Sequence, residues 1–112
     1  MAEIIKWPGA SGDTYDFWVY PFDVDTPATF EGVYIFTKKV GSMWHAVYIG
    51  QGKLGDRLAA HRREGCVFRK GATHVHLTTV ASQDKRLRME RDLLAGNVEA
   101  YEPTGCNERR GG

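Results

Sequence analysis

Gly32-Val33-Tyr34-Ile35-Phe36-Thr37 and Trp44-His45-Ala46-Val47-Tyr48-Ile49-Gly50 decide the fold of this chain. Both runs are rich in β-branched and aromatic residues, which suit a pleated and largely buried surface. Gly41-Ser42 supplies turn chemistry between them, so the pair predicts an antiparallel hairpin. Folding about Gly41 makes paired positions sum to about 82 and sets Tyr34 opposite Tyr48; a slip of one residue would send every side chain to the other face.

Upstream, Trp7-Pro8-Gly9-Ala10-Ser11-Gly12 reads as a loop because Gly, Pro and Ser cluster there. Tyr15-Asp16-Phe17-Trp18-Val19-Tyr20 has strand composition and stops at Pro21, which suggests an edge strand. Downstream, Leu54 to Glu64 predicts a helix stopped by Gly65. His74-Val75-His76-Leu77-Thr78-Thr79-Val80 alternates, with Val75, Leu77 and Thr79 on one face and the histidines on the other. Ser82 predicts the N-cap of a helix through Ala95, closed by Gly96-Asn97, and the tail from Tyr101 to Gly112 reads as irregular. The expected architecture is α/β: a small mixed or antiparallel sheet of three core strands plus an N-terminal edge strand, flanked by helices.

The 112 residues fit a single domain, expected over 1–112, with no repeat or linker to divide them. Hydrophobic residues at 42% and charged residues at 26% describe an ordinary globular chain able to build a core. No apolar run approaches the ~20 residues of a membrane span, and the first residues lack a signal-peptide pattern, so the expectation is a cytoplasmic protein with no membrane partner. Cys66 and Cys106 are too few for a disulfide framework and are expected as free thiols in a reducing compartment. The net charge of +1 hides a basic middle: residues 51–91 hold ten Lys/Arg against four Asp/Glu. Such a segment suits a polyanion, although a solvated helix face has the same composition.

Arg57 and His61 are four residues apart on the first helix and share a face. An Arg fork suits phosphate, and an imidazole can move a proton near neutral pH. The same spacing is ordinary on any surface helix. Glu90 falls inside the apolar arc formed by Leu87, Met89, Leu93 and Leu94, where a carboxylate needs compensation. Arg86 on the same arc or a metal ion could provide it. Taken singly, Tyr34 and Tyr48 read as sheet-packing residues and Asn107 as a turn residue.

In chain order these residues resemble the GIY-YIG nuclease superfamily. Gly32-Val33-Tyr34 and Tyr48-Ile49-Gly50 are similar to its two tripeptides, followed by Arg57, His61, Glu90 and Asn107. The resemblance spans residues about 30–108, leaving 1–29 as an N-terminal extension. The stretch from Glu90 to Asn107 is longer than in compact members, with residues 96–100 as the insertion. The resemblance implies an endonuclease cutting nucleic acid, DNA in the first place. Glu90 would ligate one Mg²⁺ or Mn²⁺, Arg57 would hold the scissile phosphate, and Tyr34 would help activate water with His61 or Tyr48 relaying its proton. Asn107 would orient phosphate or neighbouring groups. Lys53, Arg57, Arg62, Arg63, Arg69 and Lys70 would contact the nucleic acid, with a homodimer or recruiting protein as a further partner. Two other readings stand beside this one: the same fold binding nucleic acid without cutting it, and a zinc-stabilised module using Cys66, His74, His76 and Cys106.

Overall fold

In the computed structural model, residues 3–109 are described; the outermost residues of the expected 1–112 domain lie outside that range. The strands are β1 (Glu3–Pro8), β2 (Thr14–Pro21), β3 (Glu31–Val40), β4 (Met43–Lys53) and β5 (His74–Thr79). The helices are α1 (Leu54–Glu64), the short α2 (Cys66–Arg69) and α3 (Gln83–Gly96), followed by a 3₁₀ turn over Val98–Ala100. The strands form one sheet in the order β1-β2-β5-β3-β4, with every neighbouring pair antiparallel. The protein is thus a mixed α/β fold built on a five-stranded antiparallel sheet. Among the described residues no helix is long and apolar enough to cross a membrane.

Strand β3 lies inside the sheet and is covered on both faces, which is why its sequence is almost continuously apolar. Val33 and Ile35 pack with Trp7, Phe17, Met89 and Leu93 on the α3 side. Tyr34 and Phe36 pack with Leu54, Leu58, Val75 and Leu77 on the α1 side. Helix α1 has the expected bounds, and α3 runs one residue further than expected, to Gly96, with Asn97 after it. Gly65 takes the left-handed conformation at φ 93° that stops α1. The Ser82 side chain accepts from the Lys85 N–H and caps α3.

The sheet differs from the expected one in three ways. First, β1 exists, so there are five strands rather than four: Trp7 and Pro8 belong to a strand, and only the residues after them turn. Second, β2 lies between β1 and β5 instead of at the edge; Pro21 ends the strand without placing it outside. Third, Tyr34 pairs with Gly50 and Phe36 with Tyr48, not Tyr34 with Tyr48. The turn contains only Gly41-Ser42, with Gly41 at φ 62°, and Val40 pairs with Met43. Between Thr37↔Ala46 and Phe36↔Tyr48 the register shifts, leaving Val47 as the extra residue of a β-bulge. Val47 and Tyr48 therefore both face α1, while Ala46 and Ile49 face α3.

The tail clamps this bulge. The Cys106 N–H donates to the Val47 carbonyl at 2.8 Å. Asn107 accepts from the Ile49 N–H and donates to the Ile49 carbonyl, both at 2.9 Å, so its amide caps the exposed edge of β4. Cys66 and Cys106 are not free thiols but form a disulfide, their Cα atoms 6.1 Å apart across 40 residues. They meet because the tail folds back between β4 and the end of α1, where Lys70 Nζ also donates to the Pro103 carbonyl. This pairing overturns the zinc reading, since both sulfurs are bonded to each other.

His76 removes a further zinc candidate. It is fully buried, and the Trp7 indole donates to its Nδ1 at 2.9 Å. An indole only donates, so Nδ1 carries the lone pair and Nε2–H points to Thr37 Oγ1 at 3.3 Å. Burial, assisted by His74, lowers its pKa from 6.5 to about 3. The unfolded chain therefore binds a proton that the folded one refuses between pH 6.5 and about 3, and stability falls with pH across that window, by on the order of 3–5 kcal/mol. His76→Gln should flatten the dependence of urea midpoint on pH between 6.5 and 3; an equally steep curve would exclude His76 as its source. Cys66→Ser should lower unfolding free energy by about 3 kcal/mol. Wild type in reductant should match it, whereas a urea midpoint indifferent to both changes would contradict the cross-link.

Candidate active site

Tyr34 and Tyr48 are brought together by the bulge. If the register continued unbroken from Thr37↔Ala46, Val47 would pair with Phe36, and Tyr48 would pair with Ile35 and point to the α3 side. With the bulge, the two rings stack nearly parallel at 6.0 Å between centroids on the same face. Gly50, paired with Tyr34, leaves the necessary room: a Cβ there would collide with the Tyr34 hydroxyl and the Tyr48 ring. Gly50 sits in an extended strand, not a turn, so its reason is close approach of side chains.

Helix α1 delivers Arg57 and His61 over this pair. The Tyr34 hydroxyl and His61 Nε2 are 2.8 Å apart. The His61 ring lies 4.1 Å from the Tyr48 ring centroid and 5.8 Å from that of Phe36, which backs it edge-on. Burial first, and the Arg57 charge second, hold the His61 pKa below 6.5, so the imidazole is neutral at pH 7. The Arg57 guanidinium lies beside both tyrosine hydroxyls. Burial raises both tyrosine pKa values despite Arg57, which pulls them down. Tyr34 is completely buried, Tyr48 half-buried and Arg57 exposed, so Arg57 is the member that solvent meets first.

Glu90 comes from α3 and is half-buried. Its charge reaches both Tyr34 and Tyr48, placing it in the same electrostatic neighbourhood. Arg86, one turn earlier, is buried and directs its guanidinium to Gln51 Oε1 at 3.0 Å, to the Val80 and Ala81 carbonyls at 2.9 Å, and to Glu31 at 3.5 Å. It ties α3 to the starts and ends of three strands. Among the described residues no three His, Cys, Asp or Glu side chains cluster, so a cation here would take one protein carboxylate, with water and substrate filling the rest. A hard divalent ion such as Mg²⁺ is often held in that way.

Tyr34, Tyr48, Arg57, His61 and Glu90 thus converge, while Asn107 adjoins them through the backbone. Both ends of its amide are engaged by Ile49, which gives it a positioning role rather than a free group for phosphate. The basic residues divide. Arg62 donates to the Phe22 and Val24 carbonyls at 3.0 and 2.6 Å, Lys70 is tied to Pro103, and Arg69 pairs with Glu64 at 3.6 Å. Lys53 and Arg63 are exposed near Arg57 in sequence. Phe36 and Gly50 were not singled out as site residues; an unexplained glycine in an apolar strand was the available signal for the second. No family model, curated protein or solved structure matches this chain. Arg57→Gln should raise the His61 pKa while leaving it below 6.5, because burial persists; an NMR titration with no upward shift would show that the two charges do not interact.

Proposed function

We propose that the protein is a metal-dependent endonuclease of the GIY-YIG type, hydrolysing phosphodiester bonds in nucleic acid, DNA in the first place. The observation that carries this reading is the convergence of Tyr34, Tyr48, Arg57, His61 and Glu90 from two strands and two helices, centred on the 2.8 Å contact between Tyr34 and His61.

The chemistry follows from the order of exposure. An incoming phosphate meets Arg57, whose fork matches two phosphate oxygens. Engaging it draws Arg57 off the tyrosine hydroxyls and lets water reach Tyr34. Tyrosinate is disfavoured there, so Tyr34 acts as a relay instead of a standing base. As water attacks phosphorus, its proton passes to the Tyr34 oxygen and the Tyr34 proton passes to His61 Nε2. The new phosphorus–oxygen bond forms, the bond to the leaving oxygen breaks, and that oxygen takes a proton from solvent. Tyr48, packed at a tilt against His61, keeps the imidazole aimed at Tyr34. Mg²⁺ or Mn²⁺ on Glu90 would polarise the phosphate and stabilise the leaving oxygen. Lys53 and Arg63, both exposed, would supply further contacts to the nucleic-acid backbone.

Glu90→Gln and Arg57→Gln should each reduce Mg²⁺- or Mn²⁺-dependent plasmid nicking by at least about a hundredfold with the fold intact. Cleavage should persist at pH 6.5 and be lost only at lower pH, as His61, whose pKa is held below the ordinary imidazole value, gains a proton and can no longer accept one. Undiminished nicking in either variant sinks the mechanism. Salt-sensitive binding without cleavage of linear, nicked, branched or flap substrates would make the protein a binding module.

A further inference from the structure

The three tryptophans of the sheet are held differently. Trp7 is buried and donates to His76. Trp44 packs edge-on against His74 and His76, with the Lys39 ammonium 5.0 Å from its ring centre. Trp18 is 42% exposed, belongs to neither core cluster, and among the described residues meets no other ring and no cation. A large ring left open on a small domain calls for a reason.

Its position supplies one. Ile4 pairs with Trp18, Trp18 with Leu77, Leu77 with Tyr34, and Tyr34 with Gly50. Cross-strand partners share a face, so these side chains form one row across the whole sheet on the α1 side. Exposure rises along it: Tyr34 0%, Leu77 6%, Trp18 42% and Ile4 51%. The row leaves the covered tyrosine pair and emerges onto open surface two strands away, about 10 Å along the sheet.

We infer that Trp18 is a stacking platform for an unpaired base of the strand cut beside Tyr34. This rests on the nuclease reading and adds a substrate class: nucleic acid with single-stranded nucleotides next to the scissile bond. About 10 Å corresponds to roughly three stacked nucleotides or fewer extended ones. The surroundings favour a base over a phosphate. Lys6 and Asp16, the next pair on this face, neutralise each other at 2.7 Å, so the patch offers a ring and no net charge. They also favour a base over a second protein. Trp18 and Ile4 together expose on the order of 200 Å² of apolar surface, far below the roughly 800 Å² per partner of a stable interface. An intact duplex keeps its base faces covered, so only an unpaired base can use the platform.

The test compares binding of a flap DNA and a fully paired duplex of the same sequence to Glu90→Gln protein carrying Trp18, Trp18→Phe or Trp18→Ala. The alanine variant should lose about tenfold or more in affinity for the flap and little for the duplex, and phenylalanine should restore most of it. Photo-crosslinking with 5-iodouracil within three nucleotides of the cut should label Trp18 and not Trp44. Equal flap affinity in all three proteins overturns the platform and leaves the nuclease reading standing. Trp18-dependent flap binding by a wild-type protein that cuts nothing overturns the nuclease reading and the platform's placement beside a scissile bond, leaving Trp18 as a base-binding residue only. A dimer in solution that Trp18→Ala disrupts assigns the face to a second copy and overturns the platform.

Discussion

One extra residue in β4 places the two tyrosines of the candidate site on the same face of the sheet. The two-residue turn at Gly41-Ser42 sets a register in which Tyr48 would face α3. The bulge at Val47 reverses that and brings Tyr48 onto the face of Tyr34. A bulge on an edge strand leaves backbone groups unpaired, and here the tail answers them: Cys106 binds the Val47 carbonyl and Asn107 binds both polar groups of Ile49. The disulfide to Cys66 then fixes the tail beside the end of α1, the helix that carries Arg57 and His61. The irregular C-terminal segment is thus part of the site's scaffold.

The polar groups of the domain fall into two kinds. His76, Arg86 and Asn107 are buried with their hydrogen-bonding capacity directed to fixed partners, and they specify the packing of sheet, helix and tail. The tyrosine–histidine–arginine group is different. Its tyrosine pKa values are raised, its histidine pKa is lowered, and its arginine is the exposed member. Neutral proton carriers beside an exposed cation suit a relay that works only after an anion has drawn the cation away. That contrast separates candidate chemistry from architecture without relying on proximity alone.

Much of this was legible in the sequence. Gly65 and Ser82 marked helix ends because left-handed caps and hydroxyl caps have local causes. Glu90 among apolar residues, and Arg57 with His61 one turn apart, are local patterns too, and the structure brings these side chains into one neighbourhood. Strand β1 escaped because Pro8, Gly9 and Gly12 suggested a loop where they make a hairpin turn, and Trp7 is held by a partner 69 residues away. The bulge and the disulfide escaped because each depends on how distant segments pack. A register read by symmetry about Gly41 could not foresee an insertion stabilised from the tail.

The most direct measurement is single-turnover cleavage of plasmid DNA with Mg²⁺ by wild type and Gly50→Ala. A methyl group at Gly50 meets the Tyr34 hydroxyl and the Tyr48 ring, so it should break the relay while the sheet remains folded. Wild type should nick the plasmid, and folded Gly50→Ala protein should not. A wild-type protein that cuts no nucleic acid, or a folded Gly50→Ala variant that cuts at the wild-type rate, would contradict the proposed mechanism.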